Sequence, residues 1–204
     1  MSETSKLIGH KALFNNLIYL DQIQKFPNKI LINGPKGIGK KILINHFLNY
    51  FYSKNNDKTY DLKKNEFKLN NNLSKLISTN SHPNIFKIKK RKDKKMIDID
   101  QIREMIQFTN QTSFNNDKRI IIIEDINLLG INSANALLKS IEEPNSKTYY
   151  ILINNSEFKI LETIKSRCLE FKSNLLNSEV MEIVNYYFNS DVYKDINLDF
   201  INNY

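Results

Sequence analysis

Tryptophan is absent from the 204-residue sequence and cysteine occurs once, at Cys168. A single thiol leaves no intramolecular disulfide and fits a reducing compartment. The three histidines, His10, His46 and His82, are scattered along the chain. Scattered singly beside one cysteine, they show none of the paired spacings of a structural zinc site and argue against one. Long hydrophobic runs are missing too: residues 149–153 form one of the longest, far short of the roughly 18 apolar residues of a membrane span. The N-terminus lacks the charged-then-apolar pattern of a secretory signal. Together these absences predict a soluble, cytoplasmic protein.

Arginine is scarce, occurring only at Arg91, Arg103, Arg119 and Arg167, so the formal charge of +8 is almost wholly lysine. Abundant Asn, Lys and Ile match an AT-biased coding background. A basic surplus is compatible with nucleic acid, but it does not by itself separate that from compositional drift. The length allows one sizeable domain with room for a small second one.

The organising stretch is Lys29-Ile30-Leu31-Ile32-Asn33-Gly34-Pro35-Lys36-Gly37-Ile38-Gly39-Lys40-Lys41. An apolar strand enters a glycine-rich turn that opens into a helical pattern over residues 40–52. Gly34, Gly37 and Gly39 let backbone N–H groups converge on an anion at a helix N-terminus, and Lys40 would neutralise phosphate charge. The spacing is that of a phosphate-binding loop. The motif then requires Ser or Thr, whose hydroxyl holds Mg²⁺, and this chain has Lys41.

Strands and helices alternate along the rest of the chain. Leu13, Leu17, Leu20 and Ile23 predict an opening amphipathic helix of about four turns. Residues 53–72 dissolve into Lys, Asn and Asp, a surface excursion or poorly ordered insertion. Residues 84–88 form a short strand, and 87–95 a basic run, either a solvated loop or a phosphate-backbone contact. A helix starts at Asp98 with a capping-box Gln101. Arg119-Ile120-Ile121-Ile122-Ile123 is apolar on both faces, as in a central parallel strand covered by helices. Asn132 is expected to cap a helix with a stripe of Ala134, Leu137, Leu138 and Ile141. Residues 149–153 form another buried strand, and after Phe171 two helical patterns follow, at 180–188 and 196–201. The class is α/β with a mostly parallel sheet.

Three further features bear on chemistry. The isoleucine strand ends in Glu124-Asp125, the reverse of the Asp-Glu order that holds metal and activates water in hydrolysing phosphate-loop proteins. Mg²⁺ tolerates poor geometry badly, and Lys41 adds a positive charge where the cation should sit, so both departures damage one metal site. The alternative role for the acidic pair is a salt bridge to Lys40. Asn154, just past a central strand, either points its amide at the γ-phosphate position or is an ordinary strand-end residue. Arg167 in Ser166-Arg167-Cys168 is either a surface ion pair or an arginine presented to a phosphate bound by a neighbouring subunit.

The phosphate loop, the segment Asn132-Ser133-Ala134-Asn135-Ala136-Leu137-Leu138-Lys139-Ser140-Ile141-Glu142-Glu143-Pro144 and Ser166-Arg167-Cys168 resemble the clamp-loader AAA+ family, most narrowly its delta-prime branch. The similarity runs from about residue 8 to 171. It implies a P-loop AAA+ (RecA-like) core at 1–172, with 53–80 a polar insertion, and a partial helical lid at 173–204 without the collar domain. It further implies a clamp-loader subunit of DNA polymerase III that does not hydrolyse ATP. Gly34, Pro35, Lys36, Gly37, Ile38, Gly39, Lys40 and Lys41 would then be a vestigial phosphate loop, and Glu124, Asp125 and Asn154 a degenerate remainder. Arg167 would act in trans on a neighbour's ATP.

The resemblance implies no metal and no required cofactor in this chain, with ATP and Mg²⁺ held next door and room for weak nucleotide binding here. Its partners would be gamma/tau-like and delta-like clamp-loader subunits and, indirectly, the sliding clamp and primed DNA. Many relatives carry four zinc-binding cysteines between the loop and the acidic strand; this chain has none there. The rival functions are an ATP-hydrolysing AAA+ subunit, a small phosphate-loop kinase (which would want an arginine-rich lid) and a basic DNA-binding module.

Overall fold

The computed structural model describes residues 6–53, 59–69, 71–145 and 147–188. Within them the order is α1 (Lys11–Gln22), β1 (Lys29–Gly34), α2 (Lys40–Ser53), β2 (Tyr60–Asp61), β3 (Glu66–Phe67), α3 (Asn72–Ser78) and β4 (Ile85–Ile88). Then come α4 (Ile99–Asn110), β5 (Arg119–Ile123), α5 (Ile131–Glu142), β6 (Thr148–Asn155), α6 (Glu162–Lys165), β7 (Leu169–Lys172) and α7 (Asn177–Phe188).

Five strands form one sheet in the order β4-β5-β6-β1-β7, and every neighbouring pair is parallel. Strand alternation sends side chains to two apolar layers. Ile30, Ile32, Ile120, Ile122, Ile151 and Ile153 pack with Phe14 and Leu17 of α1 and Leu43, Ile44 and Phe47 of α2. Leu31, Ile121, Ile123 and Leu152 pack on the other side with Ile102 and Met105 of α4 and Ala134, Leu137 and Ile141 of α5. Each buried aliphatic side chain contributes about 1.5–3 kcal/mol. The double-sided burial expected for residues 119–123 is present, since all five are buried.

Several expectations shift. Of the stripe expected on α1, Leu17 is buried with Phe14 and Ile18, and Leu13 and Leu20 pack half-buried against the same core; Ile23 follows the helix and is exposed. Gly130, not Asn132, caps α5: its carbonyl accepts from the Ala134 N–H at 2.8 Å, and Asn132 is exposed. The capping-box Gln101 at the head of α4 is seen, with its Oε1 accepting from the Asp98 N–H at 3.3 Å.

The larger correction concerns the excursion expected at 53–72, of which residues 53, 59–69, 71 and 72 are described. The antiparallel pair β2–β3 delivers Tyr60 and Phe67 to the core, where the Phe67 ring centroid lies 4.9 Å from that of His46 and Tyr60 5.5 Å from Phe14. α3 follows, capped by Asn71, whose side chain accepts from the Ser74 N–H. The Ser74 hydroxyl donates to the Asn49 Oδ1 at 3.0 Å. So the described part of this polar sequence packs on α2 instead of standing off as a surface excursion.

No helix among the described residues is long and apolar enough to cross a membrane. The helix expected at 196–201 lies outside the described residues. α7 packs beside the start of α1, where Lys11 Nζ meets Glu182 at 2.7 Å.

Candidate nucleotide-site remnant and arginine rim

The loop between β1 and α2 turns where the sequence places it. Gly37 and Gly39 have φ of 82° and 100°, a region that L side chains avoid. A Cβ on Gly34 would collide with the Ser173 carbonyl. The Lys40 ammonium folds back on this loop, donating to the Gly34 and Pro35 carbonyls at 2.6 and 2.5 Å. Burial lowers its pKa, and the fields of Asp125 and Glu157 oppose that shift. His10 braces the loop from outside: its Nε2 lies 2.7 Å from the Ile38 carbonyl, so Nε2 carries the proton.

Glu124 directly follows β5, is 7% exposed, and anchors its N–H on the Ile88 carbonyl at 2.9 Å. Its carboxylate pairs with Lys41, Oε2 to Nζ 2.6 Å. The expected salt bridge to Lys40 is therefore made by the next lysine. Of the two acids, Asp125 is the one whose charge acts on Lys40. Magnesium needs near-octahedral oxygen ligands. Here an ammonium lies against the carboxylate, and the helix position that should offer a hydroxyl supplies that ammonium. The residues do not fit the metal.

Asn154 does not aim its amide into the loop. It is in register with Asn33, on the sheet face turned toward α4 and α5. Its Nδ2 donates to Asn33 Oδ1 at 3.0 Å and to the Phe158 carbonyl at 3.3 Å. The relay continues: Asn33 Nδ2 donates to Glu170 Oε1 at 2.8 Å, and Lys165 Nζ lies 3.5 Å from Glu170 Oε2. The Asn33 bond is the main cause of a lowered Glu170 pKa. Asn155, opposite Gly34 in register, takes the loop-facing side, and its Nδ2 donates to Glu157 Oε2 at 3.0 Å. Sequence reasoning missed Asn155, Glu157 and Asn33. Counting parity from the buried isoleucines of β6 would have found the first.

Arg167 lies at the opposite end of the sheet. Parallel strands place the phosphate loop after the C-terminal end of β1, whereas Arg167 precedes β7, whose Leu169 pairs with Ile30 near the N-terminal end of β1. Ile30 and Gly34 alone are separated by about 13 Å of extended chain. Its guanidinium meets Glu142 at the end of α5, Nη2 to Oε1 2.7 Å, and donates to the Thr163 carbonyl from Nη1 at 2.9 Å. Cys168 beside it is half-buried, which raises its thiol pKa to about 11, so it carries no thiolate chemistry at neutral pH.

Of the basic run at 87–95, Lys87 and buried Ile88 close β4, and 89–95 form a largely exposed loop with local partners. Lys90 donates to the Arg91 and Lys94 carbonyls, and Arg91 pairs with Glu104 at 3.3 Å. Among the described residues no cluster of three or more His, Cys, Asp or Glu side chains is placed to hold a metal ion.

The family model described as DNA polymerase III, delta subunit, matches residues 9–176. The DNA polymerase III subunit delta' of Pseudomonas aeruginosa is 32% identical over 140 residues, covering 69% of this chain and 41% of the relative. Its counterpart in Buchnera aphidicola subsp. Acyrthosiphon pisum is 31% identical over 163 residues, covering 78% and 47%. The chain thus spans less than half the length of these two curated relatives. Among solved structures, a DNA polymerase III gamma subunit-related protein of Thermotoga maritima superposes with a TM-score of 0.54 at 21% identity. The match covers 83% of this chain and 49% of that one. At that identity the likeness shows the fold alone, which is the P-loop AAA+ arrangement.

Proposed function

This chain belongs to the family described as DNA polymerase III, delta subunit, and on that premise we propose that it is a clamp-loader subunit that hydrolyses no ATP itself. In this reading Arg167 is supplied in trans to the triphosphate of an adjoining ATPase subunit while the sliding clamp is loaded on primed DNA. The partners are gamma/tau-like and delta-like subunits. ATP and Mg²⁺ belong to the neighbour, and the loop of residues 34–41 is left with at most weak nucleotide affinity.

One observation carries the proposal: Lys41 Nζ rests 2.6 Å from the Glu124 carboxylate, so an internal cation takes the charge a hydrolytic site reserves for its metal. The position of Arg167 supports the second half. It sits at the sheet end away from its own phosphate loop, next to the edge strand β7, where a neighbour can reach it. An arginine finger stabilises charge building on the transferred phosphoryl oxygens.

The test is Arg167→Ala in a reconstituted loader. ATP turnover at the adjoining site should fall by a factor on the order of 10³, with the assembly intact by size-exclusion chromatography. Unchanged turnover in an intact assembly would refute the trans role.

A further inference from the structure

Arg167 has five N–H groups, and this chain offers acceptors to all three of its nitrogens. Nε and Nη2 converge on Glu142 Oε1 at 2.9 and 2.7 Å, and Nη1 donates to the Thr163 carbonyl at 2.9 Å, with the Ser166 Oγ 3.5 Å from the same nitrogen. In a planar guanidinium, Nε–H and one Nη2–H share the side edge. What remains among the described residues is the second Nη2–H, on the end edge of the fork. A phosphate oxygen can accept from it. The side chain stays 37% exposed, so an incoming group can reach it.

The two restraints come from different elements. Glu142 closes α5 and Thr163 lies within α6, so the guanidinium plane is fixed from two sides. Glu142 is itself 47% exposed, and an ion pair this open contributes little to stability. Orientation is what the contact supplies.

We propose that Glu142 is a positioning residue for Arg167, holding the guanidinium so that its remaining Nη2–H faces the phosphoryl group of an adjoining subunit's nucleotide. This rests on the trans role of Arg167 proposed above. A finger that must find its orientation after docking loses rate, whereas one held in plane loses none.

The experiment is a double-mutant cycle in the reconstituted loader, with Glu142→Ala, Arg167→Ala and the double variant, reading kcat and KM for ATP at the adjoining site. Glu142→Ala should lower kcat about tenfold with KM near wild type. It should add nothing in the Arg167→Ala background. Glu142→Gln, whose amide oxygen still accepts from Nε and Nη2, should recover most of the loss. Melting temperatures separate misfolding from misorientation; should Glu142→Ala unfold, Glu142→Lys serves as the disrupting variant.

The inference is overturned if Glu142→Ala leaves kcat unchanged or raises it while Arg167→Ala lowers it, or if its loss persists without Arg167. If Arg167→Ala itself has no effect, the trans role fails and takes this inference with it. The two failures therefore read differently.

Discussion

Lys40 and Lys41 are adjacent in sequence and make unlike contacts. Lys40 is buried and bonded to two loop carbonyls, while Lys41 is 62% exposed along its side chain and clasps a carboxylate that is only 9% exposed. The asymmetry fixes the cost of losing Lys41. Glu124 would be left buried without its cation, a penalty between those of exposed and buried pairs, about 1 kcal/mol. Lys41→Met should therefore lower the melting temperature by roughly 2–4 °C, read by thermal denaturation at neutral pH. An unchanged melting point would mean that Glu124 finds solvent or another partner and that the pair does not close the site. The sequence announces that Lys41 sits where a hydroxyl belongs. It does not announce which acid it meets, because that depends on how α2 lies against the end of β5.

Among the elements, β2 and β3 gain most from the tertiary structure. Each is two residues long, too short for alternation to register against a background of Lys, Asn and Asp. Yet Tyr60 and Phe67 are 7% and 4% exposed within a ring cluster that includes Phe14 and His46. Phe67→Ala should cost about 3–5 kcal/mol, measured by urea denaturation. A loss below 0.5 kcal/mol would return the segment to the status of a surface excursion. By contrast β5 was readable at once, because four consecutive isoleucines permit no exposed face. α4 was readable because Asp98 and Gln101 mark its head and Ile102 and Met105 its buried side. The start of α5 was misplaced by two residues, since Asn132 is a good cap by type but the chain already turns helical at Ile131.

Across the whole molecule, the remnant and the arginine rim occupy opposite ends of one parallel sheet. Contiguous motifs made both legible: the glycine loop and Ser-Arg-Cys each appear as a run of neighbours in sequence. What joins residues distant in sequence was not legible. Arg167 and Glu142 are apart in the chain and meet only because α5 and α6 end at the same rim. Asn33, Asn154 and Glu170 line up across three strands only once β1 lies between β6 and β7. Strand parity, not residue type, decides that Asn155 and not Asn154 is turned to the loop.

The sheet thus presents an end with an internal cation and an end with an outward guanidinium, and the account assigns hydrolysis to neither end of this chain alone. Incubating the purified chain with ATP and Mg²⁺, and measuring phosphate release against a metal-free control, addresses this most directly. The proposed function requires release no faster than the control. Magnesium-dependent turnover by the chain without partners would contradict it.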